Sequence, residues 1–105
     1  MKQITELNKL MIELTGENIV DGKNFKPTKR WCEIVNEISD YAEKTEIYQN
    51  NKDRGGVIFK DATAEEIYGY MLDRVVDAPT SLHMTASILM IIPFLRKKIE
   101  GEYGE

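Results

Sequence analysis

One cysteine, one histidine and one tryptophan stand among 105 residues, with only three prolines. The lone Cys32 excludes an internal disulfide framework and fits a reducing compartment. A zinc site takes several His or Cys ligands, and His83 and Cys32 are the only ones here. Internal repeats and low-complexity tracts are missing, and no catalytic or cofactor motif stands out. The opening Met1-Lys2-Gln3-Ile4-Thr5-Glu6 is charged and lacks the continuous apolar stretch of a secretory signal. Cations are in the minority, at 14 Lys and Arg against 18 Asp and Glu, for a net charge of -4. That balance argues against broad attraction to nucleic acid or to anionic membrane. The expectation is a cytosolic protein with no membrane contact and no cofactor.

Apolar residues make up 42% of the chain, enough for a real core. The most apolar run is Leu82 to Ile99, where only His83, Thr85 and Ser87 interrupt the first three helical turns. A helix apolar on every side is buried on every side. At this length, and broken by polar residues, it makes a poor membrane span. We therefore expect a mostly α, compact four-helix domain, residues 1–105, around a central apolar helix at about 81–100. Pro93 removes one helical N–H, which predicts a kink.

Three further helices follow from periodicity. The first is expected over residues 2–15, with Ile4, Leu7, Met11 and Leu14 in one stripe, Lys9 and Glu13 paired on the exposed side, and Gly16 as the stop. The second starts at Pro27 or Thr28 and runs to about Tyr48, burying Trp31, Ile34, Val35, Ile38, Tyr41 and Ala42. The third begins at a capping box, Thr63-Ala64-Glu65-Glu66, and ends before Pro79. Two loops remain. Residues 17–27 hold Asp21-Gly22 between short apolar runs, the form of a small hairpin. Residues 49–62 hold Asn50-Asn51 and Gly55-Gly56, then Val57-Ile58-Phe59 as a brief strand. Together these would add a two- or three-stranded β appendage.

Candidate chemistry is sparse. Glu33, Glu37 and Asp40 share one helix face, and Glu37-Ile38-Ser39-Asp40 is similar in spacing to the ExxD element of all-α nucleotide pyrophosphohydrolases. That resemblance implies a metal-dependent nucleotide hydrolase. The Glu-Glu-x-x-Glu element that should precede it is missing, and a solvated acidic face is the default for an amphipathic helix. Cys32 with His83 makes a formal nucleophile pair, but no exposing turn surrounds the cysteine, which suits a core margin. Ser87 has no neighbouring base and suits packing.

The basic stretch is the sharper signal. Lys23, Lys26, Lys29 and Arg30 stand together without an acid, and the last two fall in the first turn of the second helix. Cations are disfavoured there by the helix dipole, so an anionic partner is one reason for their presence. Lys52 and Arg54 extend the set if the loops meet. The expected function is non-enzymatic: binding a protein partner, in the manner of a regulator, an inhibitor, an immunity protein or a mobile-element accessory protein. The alternative is nucleic-acid, nucleotide or anion binding through residues 23–30. The metal-dependent hydrolase comes third.

Overall fold

The computed structural model describes residues 9–14 and 27–103, and among these it is mostly helical with no strand. Helix α1 covers residues 9–14. It is followed by α2 (Lys29–Ala42), α3 (Glu46–Ile58), α4 (Ala64–Asp77) and α5 (Ser81–Tyr103). Among the described residues there are thus five helices where four were expected.

Each start has a chemical cause. The hydroxyl of Thr28 accepts from Trp31 N at 3.1 Å and caps α2. Thr45 caps α3 by accepting from Tyr48 N at 3.3 Å, while its own hydroxyl donates to Ala42 O at 2.6 Å. One side chain therefore closes α2 and opens α3, and the second helix ends at Ala42 rather than near Tyr48. The capping box of α4 forms as expected: Thr63 Oγ1 accepts from Glu66 N, and Glu66 Oε1 accepts from Thr63 N. At α5, Thr80 Oγ1 accepts from His83 N.

The stretch 49–62 is not a loop with a strand. Asn50, Asn51, Gly55, Gly56, Val57 and Ile58 all lie in α3. Asparagine and glycine are poor helix formers, but tertiary packing overrides propensity. The packing that does so is the approach of Gly55 to Phe94, described below. The expected β appendage has no strand at 57–59, and the hairpin at 19–25 lies outside the described residues, as do Ile4, Leu7 and Gly16.

Helix α5 is the element on which α2, α3 and α4 each pack. Its buried residues are Ile88, Leu89, Ile91, Ile92, Pro93, Leu95 and Ile99. Fully burying one such aliphatic side chain contributes about 1.5–3 kcal/mol. The centrality of α5 was expected, but its first turns are not enclosed. Leu82 is 76% exposed, and Met84 to Ser87 are only half-buried. The helix also passes through Pro93 and Gly101 to end at Tyr103. Against α5 lie Trp31, Ile34, Val35 and Ile38 of α2 and Ile67, Tyr68 and Met71 of α4. Leu10, Met11 and Leu14 of α1 complete the core. Trp31 meets Tyr68 edge to face at 5.2 Å, and the Tyr68 hydroxyl donates to Leu14 O at 3.3 Å.

Candidate functional site

The four arginines divide into two pairs. Arg30 donates from Nε and Nη2 to both carboxylate oxygens of Glu13, at 2.8 and 3.0 Å, and lies 3.8 Å from Glu33. Its guanidinium is held further above its ordinary value by that bidentate bond, and Glu13 is correspondingly held below its own. Arg96 bonds Asp40 of α2 and Glu100 of its own helix. Arg54 and Arg74 pair with no carboxylate among the described residues.

Both of these arginines line one cavity of about 230 Å³. Helix α3 contributes Asn51, Arg54, Gly55 and Ile58, with Phe59 just beyond its end. Helix α4 contributes Tyr70 and Arg74, and α5 contributes Ser87, Met90, Ile91 and Phe94. No carboxylate lines it among the described residues, in a chain where acids outnumber bases. Arg74 is held in place within its own helix. Its Nε and Nη2 donate to the Tyr70 hydroxyl at 3.2 and 2.9 Å, and its guanidinium carbon stands 5.2 Å from the centre of the Tyr70 ring. A guanidinium has five N–H donors, so the remaining three are available to an acceptor.

The apolar wall is an aromatic chain. Tyr48 meets Phe94, Phe94 meets Phe59, and Phe59 meets Tyr70, with centroids 5.6, 5.4 and 5.4 Å apart. Phe94 lies close to the backbone of α3: a Cβ at position 55 would fall 2.5 Å from its Cε2 and Cζ. Phe59 and Phe94 also line a second, wider cleft of about 700 Å³ on the side of Tyr48, Pro93 and Arg96. That cleft mixes signs, with Asp40, Glu43 and Glu100 beside Lys60, Arg96, Lys97 and Lys98.

The expected basic site is distributed differently. Lys23 and Lys26 lie outside the described residues. Lys29 and Arg30 occupy the first turn of α2 and do not line the groove. Arg30 has a reason to be there that the helix dipole alone does not supply, namely Glu13 of α1. Lys52 is exposed on α3, and of the four expected residues that are described only Arg54 belongs to the groove. Arg74 lies outside the expected set, although an exposed Tyr and Arg at i,i+4 on one helix is a signal that sequence holds.

The other candidates resolve into structural contacts. Asp40 and Glu33 are ion-paired rather than merely solvated. Among the described residues no three His, Cys, Asp or Glu side chains are grouped to hold a metal ion. Burial pushes the half-buried Cys32 thiol above its ordinary value, away from the thiolate form a nucleophile needs. His83 Nδ1 is 2.6 Å from Thr80 Oγ1 at the start of α5, and the Ser87 hydroxyl donates to His83 O at 2.9 Å. No helix among the described residues is long and apolar enough to cross a membrane.

No family model, no curated protein and no solved structure matches this chain.

Proposed function

We propose that this protein acts without chemistry of its own, by binding a macromolecular partner, and that the partner is a protein. One observation carries the reading: a groove between α3, α4 and α5 that sets apolar side chains beside two arginines, with no carboxylate on it among the described residues. Pockets for drug-sized ligands run at about 300–1,000 Å³, so a cavity of about 230 Å³ takes one or two side chains better than a whole substrate. Ile58, which lines it, is an apolar side chain that the fold leaves 51% exposed. Arginine and aromatic residues together are the composition of protein interfaces. Regulator, inhibitor, immunity and accessory roles all work this way.

Nucleic-acid binding through Lys23, Lys26, Lys29 and Arg30 is the weaker reading, since Arg30 is already neutralised by Glu13 and Glu33. The deciding experiment is photo-cross-linking in the native cell, with a photoreactive residue placed at Ile58 and, separately, at Lys29. A discrete protein adduct from position 58 is the expected result. A nucleic-acid adduct, or a protein adduct formed from position 29 alone, overturns the assignment.

A further inference from the structure

The groove also specifies the chemistry of what fills it. We infer that its occupant is an acidic segment of a partner protein, with one large apolar side chain inserted between α3 and α5 and carboxylates meeting Arg54 and Arg74. The inference rests on the protein-binding reading above and narrows it to a kind of sequence.

Three observations support it. First, the arginines differ in how they are neutralised. Arg30 and Arg96 each have two carboxylates nearby, while Arg54 and Arg74 have none among the described residues. Second, Arg74 is positioned by Tyr70, through two hydrogen bonds and the ring contact. An arginine already held loses less freedom when it meets a carboxylate, and its planar fork suits bidentate recognition. Third, the surface between the two cations carries apolar side chains beside the polar Asn51 and Ser87. Ile91 and Phe59 are buried at its base, and Met90, Phe94 and Ile58 present partly open carbon surface. A free inorganic anion gains nothing from that surface, whereas an apolar side chain next to an acid uses both parts. Helix-in-groove recognition has this form, with an apolar anchor in the groove and charges at the margin.

The test uses the full chain as bait for randomised peptides displayed on phage. Enriched peptides are expected to carry a Leu, Ile, Met, Phe or Trp with Asp or Glu within four positions. A synthetic peptide from that set should bind wild type in a fluorescence titration. Binding should weaken at least tenfold in Arg54→Glu with Arg74→Glu, and also as salt rises. Both residues are exposed, so the doubly reversed protein should keep its helical circular dichroism. Selection against that variant should enrich Lys and Arg instead. Lys29→Glu with Arg30→Glu should leave the peptide titration unchanged.

The inference is overturned by enriched peptides without carboxylates, by failure to enrich any, by equal affinity in the groove-reversed variant, or by displacement of the peptide by a single-stranded oligonucleotide. These failures are separate from failure of the broader reading. A protein adduct at position 58 together with carboxylate-free peptides keeps the groove as an interface and removes only its acidic specificity.

Discussion

The ring of Phe94 fills the space that a side chain at Gly55 would need. Gly55 is the only buried residue of α3, so this contact is where α3 seats on α5. The next glycine, Gly56, has nothing within 4 Å of the equivalent point.

The two neighbours should therefore respond in opposite directions to the same change. Gly→Ala inside a helix stabilises by roughly 0.5–1 kcal/mol when space is free. Gly56→Ala should show that gain in denaturant unfolding. Gly55→Ala must displace a ring packed against Phe59 and Tyr48, and overpacking costs about 1–3 kcal/mol. It should be the less stable of the two and less stable than wild type. Equal stabilisation in both would show that Phe94 gives way freely.

Helix α5 should tolerate charge at one end and not in its middle. Ile88 and Ile92 are 1% and 0% exposed, so Ile88→Asp or Ile92→Asp leaves a carboxylate buried without a partner. The cost, several kcal/mol, is comparable to the stability of a whole domain. Both variants should be unfolded at room temperature by circular dichroism. Leu82→Asp, at a position 76% exposed, should melt close to wild type. A cooperative, near-wild-type transition in either core variant would contradict the central placement of α5.

Ser39 is fully buried in α2, and its hydroxyl has no hydrogen-bond partner among the described residues. Ser39→Ala removes a desolvated polar group without opening a large cavity, so stability should rise by about 1 kcal/mol. A loss of similar size in thermal unfolding would mean that the hydroxyl is bonded in solution.

Reversal of Arg30 should weaken the fold. From the helix dipole alone Arg30→Glu improves the start of α2, but in the folded protein it places like charges against Glu13 and Glu33. Unfolding midpoints should fall at low salt and recover as salt rises. The pH dependence has a definite sign. Glu13 is held below the ordinary carboxylate value in the folded state, so its contribution is present above that ordinary value. It disappears as pH falls through the lowered one. In Arg30→Gln this part of the acid limb should flatten, and an unchanged acid limb would show that the pair does not form.

How much was legible in sequence depends on how far apart the deciding residues lie. The capping box at Thr63 and Glu66 is a contact across three residues, and it was recognised from spacing. The buried faces of α2 and α4 follow the 3.6-residue period, with Trp31, Ile34, Ile38, Ile67 and Met71 all in the core. Helix α3 was hidden because Asn-Asn and Gly-Gly mark a loop locally. Only Phe94, thirty-nine positions beyond Gly55 in the numbering, makes the glycine a packing residue. The same holds for the cations. Arg30 finds Glu13 across 17 positions, and Arg96 finds Asp40 across 56. Which arginines remain without a carboxylate among the described residues is set by those distant pairings, so Arg54 was legible as one basic residue among several and Arg74 was not singled out.

That α2, α3 and α4 each pack on α5 also bears on how the protein is made. The ribosome delivers the N-terminal helices first, at about 5–20 residues per second. From the completion of α2 until α5 emerges, a time on the order of seconds at that pace, the nascent chain carries amphipathic faces whose common support does not yet exist. Trp31, Ile34 and Ile38 have no α5 to pack on until the segment beginning at Ser81 arrives. Synthesis runs in the opposite order to structural need, and the core closes in one late step when its axis is supplied.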